Sequence, residues 1–211
     1  MKKKYNNILK IVFPSKKINI FVICIVLLGV TFGAIFANML GLNDQNQVID
    51  KIKLFTNNIN NNLLDNVVVF KNSLGINIIY TAAIWILGMT LIGIILVIGL
   101  LFIKSFIFGF SMASFIITFK YKGIFISILY LLFGQLFNIV AIIILSIYSI
   151  MFTIKLFKLI FKNNPNNHNI LKFFKNYLLI LIIVIIINVI SSLCETFILP
   201  ALIKLIIKLY L

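Results

Sequence analysis

Glu195 is the one acidic residue inside an apolar run of this sequence, so intramembrane chemistry is sought there first. A carboxyl group in hydrocarbon is costly and marks a functional site by default. Gln135 and Asn138 lie in another apolar run, three residues apart, on one helical face. These three residues could line a polar path for an ion or a proton. They could equally pair with one another, or with a lysine, and fix how two spans pack. A lone carboxyl without a basic relay partner in another span is thin evidence for a pump.

Other chemistry is poorly supplied. The sole histidine, His168, lies in a polar run of asparagines. The sequence holds no HExxH, no CxxC, no paired carboxylates at useful spacing and no phosphate-binding glycine loop. Ser111, Ser114, Ser191 and Ser192 read as span serines that bond back to their own helix or across to a neighbour. Cys24 and Cys194 fall inside apolar runs and read as small buried hydrophobes. The expectation is a non-enzyme with no cofactor and no metal.

The elements that hold these residues are set by composition. The 211 residues are 63% hydrophobic and only 11% charged, against about 25% charged in soluble domains. Mean hydropathy is +1.19. No polar segment is long enough to bury a core of its own. The fold class expected is all-α: a polytopic membrane helical bundle of about five transmembrane helices plus an outer amphipathic helix. Residues 1–211 form a single membrane domain, with a basic cytoplasmic segment at 1–17 and an extracytoplasmic amphipathic loop at 41–73. The net charge of +15 comes from lysines, which cluster at the ends of apolar runs. There they orient the chain and meet anionic membrane lipids, so nucleic acid is not an expected partner. The first apolar run is too long for a signal peptide's core and is read as a retained span.

Span 1 covers residues 18–40. Gly29, Gly33 and Ala37 recur every four residues and offer a close-packing face, for another span of the chain or for a homo-oligomer. Asn38 caps its outer end. In residues 41–73, Val48, Ile52, Phe55, Ile59, Leu63, Val67 and Phe70 form a helical stripe sustained over six turns. That stripe lies on the outer leaflet or docks an extracytoplasmic protein. Residues 74–118 carry a single charge, Lys104. As one helix they would measure roughly 65 Å, about twice the hydrocarbon core. The expectation is a hairpin turning near 99–102, with Lys104 snorkelling to the cytoplasmic surface. Its second arm, 105–119, is then short, and tilted or partly re-entrant. The last two spans fall in 123–154 and 176–199, the latter ending at Pro200. With five spans, twelve lysines lie inside and seven outside, which places the N-terminus in the cytoplasm.

Taken in order, these segments resemble the stage II sporulation protein M family. GVTFGAIFANML at 29–40 is similar to that family's glycine-rich first span. AAIWILGMTLIGIILVIGLLFIKSFIFGFSMASFI, with Trp85, Gly88, Gly93, Lys104 and Gly109, resembles its most recognisable segment. Gln135 stands where the family often has a Pro-Gln or Pro-His pair, with Gly134 before it here. CETFILPAL, with Glu195 and Pro200, resembles the family's Glu-plus-Pro ending. The resemblance implies a non-enzymatic scaffold for forespore engulfment in a multi-pass cell membrane location at the sporulation septum. Its implied partners are stage II sporulation proteins D and P, which degrade peptidoglycan. Val48, Ile52, Phe55, Ile59 and Leu63 are the expected docking residues. The rival reading is a small permease or transporter subunit with a path through Gln135, Asn138 and Glu195.

Overall fold

A computed structural model of the chain describes residues 15–162 and 168–210. The basic stretch expected at 1–17 falls almost wholly outside the described residues, as does most of the asparagine-rich loop before His168. No strand occurs among the described residues. The helices are α1 (Lys16–Met39), α2 (Leu42–Asn60), α3 (Asn66–Gly88), α4 (Gly93–Phe119), α5 (Tyr121–Leu129), α6 (Leu136–Lys162), α7 (His168–Leu193) and α8 (Leu199–Tyr210). A π turn, Tyr130–Gln135, joins α5 to α6, and a second, Cys194–Ile198, joins α7 to α8.

Five of the resulting rods are long and apolar enough to cross a membrane: Lys16–Met39, Asn66–Gly88, Gly93–Phe119, Tyr121–Phe161 and Phe173–Leu205. The chain is an all-α polytopic bundle. Backbone polar groups in hydrocarbon must be satisfied within the segment, which is why the apolar runs fold this way. Their outward faces stay apolar: Leu27, Phe32, Ile79, Ile95 and Ile182 are all exposed. The inward faces form a main core around Val22, Ile84, Val97, Leu101, Leu145, Tyr177 and Val184, and a smaller one around Ile59, Phe115, Ile126, Leu199 and Ile203. The fourth rod has 41 residues and measures roughly 60 Å, so its lysine-bearing end projects beyond the hydrocarbon.

Three expectations are corrected. The hairpin turns at 89–92, not at 99–102. Thr90 closes it: its amide and its hydroxyl both donate to the Leu87 carbonyl, at 2.9 and 2.8 Å. The Gly93 amide then donates to the Thr90 carbonyl at 3.1 Å. Gly99 gives no cause to turn, because a single glycine costs a helix only about 1 kcal/mol. Helix α4 therefore runs unbroken for 27 residues. Lys104 sits near its middle rather than at a surface, and 105–119 complete a full span.

The stripe in 41–73 is not one helix. It stops at Asn60 and restarts at Asn66, with Asn62 in the left-handed region at φ 56°. Asp65 caps the restart, accepting from the amides of Val67 and Val68 at 2.9 and 3.4 Å. Residues 66–73 are thus the first turns of the second span.

Pro200 does not end the last helix. It is the second residue of α8, directly after a π turn. Proline in a helix interior lacks a donor and crowds the preceding turn. Here the widened turn before it relieves both problems.

The pair α1 and α4 is the tightest in the bundle. A Cβ on Gly29 would lie 2.7 Å from the Ser105 Cβ and 2.9 Å from the Phe102 carbonyl. One on Gly33 would collide with the Phe106 carbonyl, and one on Gly109 with that of Val30. Ala37 is buried on the same face. Phe36 flanks the seam, its ring 5.5 Å from Phe106 and 6.2 Å from Phe110. The small-residue face is spent within the chain.

Candidate functional site

Helix α3 carries Ser73, Asn77 and Thr81 at four-residue intervals, so all three project from one face. Asn77 is the middle residue of that span and is buried, as is Thr81. Opposite them, α7 and its π turn present Asn188, Ser192 and Glu195. From the other π turn comes Gln135, and from the middle of α4 comes Lys104.

These groups form one continuous hydrogen-bonded chain across the interior. The Lys104 ammonium donates to Asn77 Oδ1 at 3.4 Å and lies 4.9 Å from the Tyr80 ring centroid. Asn77 Nδ2 donates to Ser192 Oγ at 3.4 Å, and Ser73 Oγ lies 3.2 Å from that same hydroxyl. Ser73 Oγ donates to Glu195 Oε2 at 2.6 Å. Gln135 Nε2 donates to Glu195 Oε1 at 3.3 Å. Both carboxylate oxygens are therefore engaged. Lys104 and Glu195 also attract one another electrostatically. That attraction is stronger here than in water because little polarisable solvent lies between them.

A second polar layer lies beside the first. Asn138 Nδ2 donates to Asn188 Oδ1 at 3.1 Å, and Asn188 Nδ2 donates to Thr81 Oγ1 at 2.7 Å. Both asparagines are fully buried. Nearer the 89–92 end, Thr153 Oγ1 donates to the Gly88 carbonyl at 2.7 Å. There the Tyr177 hydroxyl donates to the Trp85 carbonyl at 2.9 Å and lies 2.7 Å from Ser149 Oγ. Helix α3 is thus stitched to α6, α7 and the π turn after α7 from Ser73 to Gly88. Substituting Asn188 by leucine strands Asn138 and Thr81 together. Interhelical hydrogen bonds in membranes contribute about 0.6 kcal/mol on average. The expected loss is therefore about 1–2 kcal/mol, read as a lower midpoint in detergent-induced unfolding.

The structure brings together Gln135, Glu195 and Lys104. Asn138 belongs to the adjacent layer. Gly29, Gly33 and Ala37 stand apart, in the α1–α4 seam. Asn38 donates to the Ala34 carbonyl at 2.9 Å and makes a local bond only. Pro200 lines a small pocket of about 300 Å³ with Asn62, Asn66 and Lys204, where Lys204 donates to Asn62.

The expected docking stripe is turned inward. Ile59 is buried with Phe115, Ile126, Leu199 and Ile203, and Ile52 and Phe55 pack against that cluster. Val48 borders a pocket against α4. Of the five expected docking residues only Leu63 is well exposed, at 69%. The cause is that the ends of α4, α5 and α8 offer an apolar platform that lipid would otherwise cover.

Residues that sequence reasoning left unassigned include Ser73, Asn77 and Thr81. Their four-residue spacing was the available signal. Asn188 was likewise unassigned, and its signal was a four-residue step to Ser192 and a further three to Glu195. Among the described residues no group of three His, Cys, Asp or Glu side chains is gathered as for a metal.

The family model described as Stage II sporulation protein M matches residues 21–200. That match contains every member of the polar chain. No curated protein and no solved structure matches the sequence.

Proposed function

The chain belongs to the stage II sporulation protein M family, and from that premise we propose that it is a non-enzymatic membrane scaffold. It is a sporulation membrane protein by family and by its five apolar spans. In the proposed role it anchors and localises peptidoglycan-degrading partners, stage II sporulation proteins D and P, at the septal membrane during engulfment. One observation carries this reading: the interior polar groups are engaged chiefly with one another, and α2 is clamped across the span ends. Such a bundle is built to hold a shape. The outward face of α2 carries Asn43, Asp44, Asn46, Gln47, Asp50 and Asn57, all exposed, and with Leu54 and Leu63 it is the surface left for partners.

Crosslinking and pull-down of the tagged protein from sporulating cells tests this. Recovery of cell-wall hydrolases, lost when Asp50 and Leu54 are replaced by lysine, is the expected result. Recovery of an ATPase instead would support a transporter subunit. That second reading has one observation in its favour, since Lys104 supplies the basic partner for Glu195 from another span.

The proposed orientation puts the N-terminus and residues 89–92 in the cytoplasm and α2 outside. In a chain with Cys24 and Cys194 replaced by alanine, Asn57→Cys should react with an impermeant maleimide on intact cells. Thr90→Cys should react only after permeabilisation, and Lys104→Cys in neither case. The reverse pattern for the first two variants would invert the assignment.

A further inference from the structure

A pocket of about 410 Å³ lies between α2 and the later turns of α4. Its walls are Val48, Ile52, Phe55, Phe110, Phe115 and Tyr130, and Lys51 stands at its rim. We propose that it holds one acyl chain of an anionic phospholipid whose phosphate is met by Lys51.

Three features point to that occupant. The first is depth. Phe110 and Phe115 belong to a membrane span, whereas Lys51 belongs to α2, which is not among the five helices apolar enough to cross a membrane. A lipid has the same layout, with its tail in hydrocarbon and its phosphate at the surface. The second is volume. A helix is about 10–12 Å across with its side chains, so a pocket this small accepts at most a turn or two of a partner helix. A slender flexible chain fits along it. The third is charge. The lining is apolar except for Ser111, Ser114, the Tyr130 hydroxyl and one exposed cation. Both serines bond back to their own helix, to the Ile107 and Phe110 carbonyls at 2.9 and 2.8 Å. The net attraction is therefore for an anion at the mouth and hydrocarbon within. The pocket also borders the polar chain, because Tyr130 belongs to the same π turn as Gln135.

The test uses the full chain in nanodiscs of phosphatidylcholine containing phosphatidylglycerol, with retained lipid counted by native mass spectrometry. The wild type should keep phosphatidylglycerol with about tenfold preference. Lys51→Glu should abolish that preference. Lys53→Glu makes the same charge change outside the pocket and should preserve it. Ser111→Phe, which fills the pocket, should expel the lipid. Because that variant alters packing, a photoreactive phosphatidylglycerol with its label in the acyl chain is applied to the wild type as well. It should crosslink to residues 110–115. Equal loss in the Lys51 and Lys53 variants overturns the proposal. So does crosslinking spread evenly over lipid-facing residues such as Ile79, Ile95 and Ile182, which would mark ordinary boundary lipid.

Discussion

Replacing Lys104 by methionine alone should destabilise the protein more than replacing Lys104 and Glu195 together. The single change removes the only cation described within reach of the Glu195 carboxylate and leaves the Asn77 carbonyl without its donor. Breaking a buried pair by removing one partner typically costs about 3–5 kcal/mol, while removing both is far milder. Lys104 and Glu195 are both half-buried and are joined through Asn77, Ser192 and Ser73 rather than in direct contact, so a smaller cost, about 1–2 kcal/mol, is expected. Lys104→Met with Glu195→Gln should recover at least about 1 kcal/mol of that, because a neutral amide keeps hydrogen-bonding capacity at less desolvation cost. Steric trapping or detergent titration of the four members of the cycle measures the coupling. A coupling near zero would mean that the two charges act independently. The cycle also bears on the transporter reading. A scaffold carrying both substitutions should still recover its partners, whereas a charge-relay protein should be inactive however well it folds.

Gly33→Leu should prevent α1 from docking. The added Cβ meets the Phe106 carbonyl head on and lies 2.8 Å from the Phe110 amide. Backbone cannot step aside as a flexible side chain can, so the cost exceeds the roughly 1–3 kcal/mol typical of overpacking. The expected outcome is loss of the monodisperse peak in fluorescence-detected size exclusion. Gly99→Ala is the matched control. Nothing lies within 4 Å of the Cβ it would add, and alanine favours the helix by about 1 kcal/mol over glycine. Its melting temperature should hold or rise. If the small-residue face instead joined two copies, Gly33→Leu would separate an oligomer and leave a folded monomer behind.

The number and type of elements were legible because lipid imposes one demand on every turn of a span. Apolar length therefore marks a span directly, and span 1 lies within two residues of its expected bounds. Turn position was harder. A turn between two apolar helices leaves almost no compositional mark, and Thr90 between Met89 and Leu91 is a faint one. Lys104 misled because lysines usually flank spans, and the facing Asn77, Tyr80 and Glu195 make its interior position tolerable. Those partners lie 27 and 91 residues away in sequence, beyond the reach of any local pattern. The inward turn of the α2 stripe was equally hidden. Periodicity says that one face is apolar, and it is silent on whether lipid, a partner or the chain's own helices cover it. Pro200 looked like a stop for a sound reason, and the widened turn before it changes its meaning.

Those two widened turns have a consequence for how the gene can change. A π turn is a helix that has absorbed one residue more than it needs. A single-codon deletion within 130–135 or 194–198 can close the turn while the faces on either side stay in register. The same deletion in the middle of α6 or α7 rotates everything beyond it by about 100°. Length variation within these two spans should therefore be admitted at the two turns and rejected elsewhere. Gln135 and Glu195 both sit in the stretches where a residue is spare. A lineage that shortened either turn would keep its bundle and lose the alignment of these two side chains.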